Sequence, residues 1–192
     1  MCGRYYIEIE DKELQDIFRA VEKNLQARET ESVQTGEIYP TNIVPAVSAA
    51  GILPMQWGFP RFDGKGVVIN ARTETVNEKP MFAGPFRSFR CLLPASNYFE
   101  WQSVGTKKIK YRMHQPGSGV IFLAGVARDN ANDEFPKFVI LTRPAAPGIA
   151  YVHDRMPLIL PRHLHEAWPR GGVNEAAEAI AHAETDIDAV PA

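Results

Sequence analysis

Cysteine, long apolar runs and any excess of positive charge are all scarce in this sequence. Only two cysteines occur among 192 residues, and they form no C-x-x-C pair. Two thiols cannot build a disulfide framework, and no paired cysteines are present to hold a structural zinc. Sparse cysteine fits a reducing, cytoplasmic setting. The longest apolar stretch, "GVIFLAGVA" at 119–127, is too short to span a bilayer. The first twenty residues are polar and charged and contain no apolar signal core, so no membrane partner is expected. His163 and His165 are two apart, which does not place them on one helix face, and no acidic or Cys partner follows at ligand spacing. No metal site and no cofactor are expected.

The formal charge is −2, from 21 Lys and Arg against 23 Asp and Glu, but it is unevenly spread. Residues 173–192 carry five acids (Glu175, Glu178, Glu184, Asp186, Asp188) and no Lys or Arg, which leaves the body at +3. Thirteen of the 21 basic residues are arginine, whose planar fork suits phosphate. Charge alone therefore neither requires nor excludes a nucleic-acid partner.

Leu14, Ile17, Phe18, Val21 and Leu25 recur at helical spacing, and Asp11 stands where an N-cap belongs. Short β-like runs follow between Pro and Gly punctuation: "NIVPAV", "GVVINA", "RCLLPA", "NYFEW", "IKYRM", "GVIFLAGVA" and "KFVILT". Many short strands after one helix predict a β-rich core with a strongly curved or barrel-like sheet. A short helix at "RHLHEAW" and an Ala/Glu-rich helix from Val173 are predicted to finish the chain, with "DIDAVPA" frayed. With no internal repeat and no dividing linker, residues 1–192 read as one domain, most simply a monomer.

Four polar stretches interrupt this apolar background. The first is Cys2-Gly3-Arg4. If Met1 is removed, residue 2 carries a thiol and a free α-amino group together. In "VINARTET", Asn70 and Arg72 fall on one face of a strand. In "NYFEW", Tyr98 and Glu100 share a face with Gln102, while Phe99 and Trp101 point to the other. The fourth is His153-Asp154-Arg155, leading into a hydrophobic strand. Each also has a plain structural reading: a small terminal residue, a hydrogen-bonded pair, a wet strand face, an exposed turn. Cys91, in "RCLLP", reads as a small buried hydrophobe.

Taken together, "MCGRY", "WGFP", "INARTETVNEKPMF", "RCLLPASNYFEW", "FLAGV", "VILT" and "HDRMPLIL" resemble the SRAP (SOS response-associated peptidase) family. The pieces occur in the family's order over about residues 1–161. The segment after Pro161 matches nothing in that pattern, and "WGFPRFDGKG" is shorter than the usual loop.

The resemblance implies an α+β fold with a mixed, barrel-like β core and peripheral helices. It also implies a sensor of abasic sites in single-stranded DNA, acting in the DNA damage response. An abasic deoxyribose equilibrates with an open-chain aldehyde, which a 1,2-aminothiol traps as an imine and then as a five-membered thiazolidine ring. Closure is intramolecular and so strongly favoured. In model compounds the α-amino group titrates near about 7.7–8.0 and a thiol near about 8.5, so modest tuning would supply the reactive forms.

On this resemblance Cys2 is the reactive residue and Asn70 orients its amine. Glu100 is the general acid–base, its pKa raised by desolvation, and His153 protonates the opening sugar. Arg4, Arg72 and Arg155 hold flanking phosphates, as does Thr142, while Trp57 and Pro40 pack on neighbouring bases. Two alternatives stay open: a cysteine peptidase with Cys2 as nucleophile, and a non-covalent binder of single-stranded DNA in which Cys2 is incidental.

Overall fold

A computed structural model describes residues 2–23 and 33–192; Met1 and Leu25 lie outside them. The architecture is mixed α+β, as expected. Among the described residues, fourteen strands form two main sheets and one small ribbon, β5 (Phe59–Pro60) paired with β6 (Val67–Val68), with helices packed around them.

The larger sheet closes on itself. Strands β3 (Ile43–Ser48), β4 (Gly51–Trp57), β8 (Arg90–Ala95), β11 (Ile121–Arg128) and β12 (Lys137–Pro144) run in the order β11-β8-β3-β4-β12, and β12 pairs back onto β11. The ring is mixed because β12 lies parallel to β4 and to β7 (Asn70–Arg72), while its other partners are antiparallel. Residues in β8 and β11 are buried almost throughout, which explains their continuous apolar runs. Gly125 is required inside this ring. A Cβ there would meet Leu93 Cδ2 at 2.8 Å and Cys91 Sγ at 3.0 Å. Cys91 is the buried hydrophobe that its context implied.

The second sheet has the order β14-β10-β9-β1-β2, from β1 (Arg4–Ile7), β2 (Gly36–Ile38), β9 (Asn97–Val104), β10 (Lys107–His114) and β14 (Asp188–Pro191). Tyr5 of β1 reaches the ring, its phenol ring 5.3 Å from that of Trp57. Trp57 in turn stacks on Phe138 at 6.2 Å. One continuous apolar cluster runs through both sheets and into the C-terminal helix.

Outside the sheets, Asp11 caps the helix Lys12–Glu22 by accepting from Glu13 N at 2.8 Å, and Leu14, Ile17, Phe18 and Val21 form its buried face. A second helix, Pro80–Ser88, follows β7. Its last turn is tied to the C-terminal segment by buried Arg90, whose guanidinium donates to Phe86 O at 2.6 Å, Trp168 O at 2.7 Å and Gly171 O. The Ala/Glu-rich helix is present as Val173–Ala181. The "RHLHEAW" stretch divides into a 3₁₀ turn, Arg162–Leu164, and a separate helical turn, Ala167–Arg170. The expected fraying of the last residues is corrected: Asp188–Pro191 pairs antiparallel with β10, Ile187 is buried, and Ala192 N donates to Lys110 O at 3.0 Å. Among the described residues no helix is long and apolar enough to cross a membrane.

Candidate active site

Cys2 immediately precedes β1 and is fully buried. Its thiol donates weakly to Arg4 O at 3.7 Å. The pairing Tyr5↔Tyr98 puts both phenols on one sheet face, and strand alternation adds Glu100 to that face. Glu100 is only 3% exposed.

These groups lie within electrostatic reach of one another. Burial pushes the Cys2 thiol well above its ordinary range, and the Glu100 charge raises it further. Burial also raises the Glu100 carboxyl, opposed in part by His153. The tuning of Glu100 agrees with the sequence-based expectation, but that of Cys2 runs the other way. A thiol taken out of water beside a carboxylate holds its proton.

His153 arrives from the loop between β12 and β13 (Arg155–Pro157). Its Nδ1 accepts from Arg155 N at 3.0 Å and lies 2.9 Å from Asp154 Oδ1. The loop is docked on β9 and β10. Gln102 Nε2 donates to Tyr151 O at 3.2 Å, Tyr111 Oη donates to Gln102 Oε1 at 3.2 Å, and the Tyr111 and Tyr151 rings meet edge-on at 6.0 Å.

Asn70 and Arg72 sit on β7, held in register by β12 through the pairs Ile140↔Asn70 and Thr142↔Arg72. Trp57 joins this strand to β1. Its ring packs against Tyr5, and its Nε1 donates to Ile69 O at 3.0 Å, one residue before Asn70. Both polar atoms of the Asn70 amide are buried without a hydrogen-bond partner among the described residues, as are the hydroxyls of Tyr5 and Tyr98. Buried amides and hydroxyls left this way cost stability, so their retention points to a polar guest.

Two assigned residues are placed differently from expectation. Trp57 is 0% exposed and serves as the wall between β1 and β7, so its faces are closed to bases. Thr142 is also 0% exposed. Its hydroxyl donates to Ala71 O at 3.4 Å and accepts from Arg155 Nη2 at 3.3 Å, so it positions Arg155 and does not face a phosphate.

The remaining candidates range from exposed to half-buried. Arg72 is exposed, and Pro40 is half-buried in the tight loop after β2, next to Thr41, whose N–H donates to Trp57 O at 2.7 Å. Arg4 pairs across to Phe99, on the sheet face opposite Glu100. Its guanidinium lies 3.8 Å over the Tyr39 ring and 3.0 Å from Glu37, which also binds Lys110 at 3.0 Å. Arg155 is forked onto Glu74, a partner 81 residues away that no spacing rule could have paired with it. Glu74, Tyr111 and Tyr151 were therefore invisible as site residues. No group of three or more His, Cys, Asp or Glu suited to a metal exists among the described residues.

Cys2, Glu100 and His153 thus interact electrostatically where the two sheets meet, and one family model matches the chain that carries them. That model, SOS response associated peptidase (SRAP), matches residues 1–191. The chain belongs to the SRAP family. It is 32% identical over 133 residues to the abasic site processing protein YedK of Escherichia coli, covering 67% of this chain and 60% of that one. It is 33% identical over 132 residues to the yeast abasic site processing protein YMR114C, covering 64% of this chain but 36% of the relative. The matched region thus spans less than two thirds of either relative's length. A crystal structure of a Bacteroides thetaiotaomicron protein superposes with a TM-score of 0.80 at 22% identity, over 99% of this SRAP chain and 91% of the other. That likeness establishes the fold.

Proposed function

We propose that this SRAP chain captures abasic sites in single-stranded DNA by forming a covalent crosslink through Cys2. The observation that carries the proposal is the joint burial of Cys2, at the head of β1, and Glu100, on the neighbouring strand β9, with burial raising both groups' pKa values. The relatives' names as abasic site processing proteins support the same substrate.

With Met1 removed, the free α-amino group of Cys2 adds to the open-chain aldehyde of the lesion. The Glu100 proton goes to the departing hydroxyl, which leaves as water, and a protonated imine forms, its nitrogen keeping one hydrogen. The carboxylate so created takes the thiol proton as sulfur adds to the imine carbon. The imine nitrogen ends as a ring amine, and the proton balance closes. His153, within electrostatic reach of Glu100, gives a proton to the furanose ring oxygen as the anomeric hydroxyl releases its own to solvent, and the Asn70 amide orients the amine. Arg72 and Arg155 hold the phosphates on either side, with Arg4 serving DNA that wraps past the opposite sheet face. A peptidase built on a thiolate–imidazolium pair needs a depressed thiol pKa, and burial here acts in the opposite direction.

The decisive experiment is intact mass after incubation with an abasic oligonucleotide. The processed protein gains the oligonucleotide's mass less one water. A variant with one uncleavable residue before Cys2 keeps its thiol but ties the Cys2 nitrogen into an amide, so it folds and binds DNA but closes no thiazolidine and gains no stable mass without a reductant. A full-strength adduct from that variant refutes the aminothiol mechanism.

A further inference from the structure

In the proposed mechanism His153 and Glu100 act on one sugar, although they come from distant segments of the chain. The contacts of His153 Nδ1, to Arg155 N at 3.0 Å and Asp154 Oδ1 at 2.9 Å, are both with its sequence neighbours. The loop is likewise closed on itself: Ala145 N donates to Asp154 O at 2.9 Å, and Val152 N to Ile149 O at 3.0 Å. These bonds fix the imidazole within its loop. They do not fix the loop against β9, the strand that carries Glu100.

The crossing is made by Gln102. It lies two residues beyond Glu100 on β9, and so on the same sheet face. Its Nε2 donates to Tyr151 O at 3.2 Å, two residues before His153, and its Oε1 accepts from Tyr111 Oη at 3.2 Å. A carbonyl oxygen only accepts, so the amide turns its nitrogen to Tyr151 and its oxygen to Tyr111. Tyr111 stands directly opposite Glu100 in the β9–β10 ladder, and its ring meets that of Tyr151 edge-on at 6.0 Å. The clasp is therefore built on the neighbours of Glu100 on that face, one along β9 and one across on β10. Gln102 is half-buried, and holding a glutamine in one rotamer costs side-chain entropy. Here both ends of its amide are engaged, and what they hold is the stem of the histidine loop.

We infer that Gln102 is a positioning residue: with Tyr111 it clasps the backbone at Tyr151 and so aims His153 at the sugar that Glu100 serves. This rests on the proposed function, because the step it supports is the ring opening assigned there to His153. Its effect is confined to that step. His153 acts on the furanose ring oxygen before any aldehyde exists, whereas imine formation and thiazolidine closure run through Glu100. Misplacing a catalytic group by about 1 Å costs up to roughly 10²-fold in rate.

The test compares single-turnover adduct formation on two oligonucleotides, each at saturating concentration. One carries the natural abasic site. In the other the lesion is an open-chain aldehyde with hydrogen in place of the C4′ hydroxyl, which cannot cyclise. Gln102→Leu should slow adduct formation on the abasic site by about ten-fold or more, yet react with the non-cyclising aldehyde at the wild-type rate. In a His153→Ala background, Gln102→Leu should cost nothing further, because the group it aims is gone. Equal slowing on both oligonucleotides overturns the inference by making Gln102 part of the general scaffold, and wild-type speed on both overturns it as well. So does additive slowing in the His153→Ala background. In each of those outcomes the wild type still forms adduct, and the proposed function stands. A wild type that forms adduct with neither oligonucleotide overturns the proposed function, and the inference with it.

Discussion

The Arg155 guanidinium grips both carboxylate oxygens of Glu74 and, through Nη2, the Thr142 carbonyl at 2.6 Å. Arg155 is 11% exposed at its side chain and Glu74 is 45%. Hydrogen bonding from Arg155 holds the Glu74 carboxyl far below its ordinary value, at about 2, so it is charged wherever the protein works. A residue assigned to phosphate is thus already half neutralised by the protein itself.

Glu74→Gln should therefore tighten binding to single-stranded DNA at low salt. It should also steepen the slope of log affinity against log salt by about 0.7, one additional neutralised phosphate. Weaker binding would instead make Glu74 the residue that aims Arg155.

Arg72 is exposed and makes no side-chain hydrogen bond or ion pair among the described residues, so its charge is fully available. Arg72→Ala should flatten the same salt slope by about 0.7. A titration of affinity against potassium chloride reads both variants, and a salt-independent wild type would remove the phosphate track.

Glu100→Gln separates chemistry from stability. Adduct formation and its reversal should both slow, by about 10²–10⁴-fold if proton transfer through this carboxyl dominates. Stability should move the other way. A carboxyl whose folded pKa is raised keeps its proton where the unfolded chain has released it, so stability falls as pH rises from about 4.3, the unfolded value, through the folded one. Gln removes that loss. The variant should melt higher than wild type near neutrality, with the gain shrinking as the buffer approaches the unfolded value. An equal melting temperature at both ends of that window would place Glu100 in water.

Asn70→Leu makes the same argument without a titrating group. The native amide has two buried polar atoms with no partner among the described residues, so an apolar replacement of similar size should melt no lower than wild type. Covalent capture should nevertheless fall sharply in single-turnover measurements. A large drop in melting temperature would make Asn70 structural.

Arg90→Met is the scaffold control. It leaves three carbonyls at two helix ends without their charged donor, a loss of at least about 3 kcal/mol. For a chain of this size that lowers the melting temperature by about 6–12 °C. Adduct yield well below the new transition should match wild type.

Local pattern made much of this fold legible. Six of the seven β-like runs each lie on one strand, while "GVVINA" breaks at Ile69 into Val67–Val68 and Asn70–Arg72, and Asp11 caps its helix, because alternation and capping are decided by neighbours in sequence. The strand Gly51–Trp57 was missed because Gly51 and Pro54 read as punctuation, yet Pro54 sits opposite Pro45 in the ladder. The helix Pro80–Ser88 was missed for the same reason, with Gly84 and Pro85 inside it. Ring closure through parallel pairing leaves no local mark. At the site, residue types that do chemistry stood out, while Trp57 and Thr142 were misplaced. Burial depends on what the rest of the chain brings against them, and the motif shows only that they are adjacent to the action.

Strand β12 touches four others: β4, β7, β11 and β13. On a ribosome, Cys2, Asn70, Arg72 and Glu100 all emerge before Lys137 does, but β7 has no rail to lie on until then, and His153 follows later still. Such distant pairings form slowly and late. Assembly order thereby acts as a safety catch: in the proposed mechanism an aldehyde-reactive terminus becomes competent only when most of the chain has been made and folded around it.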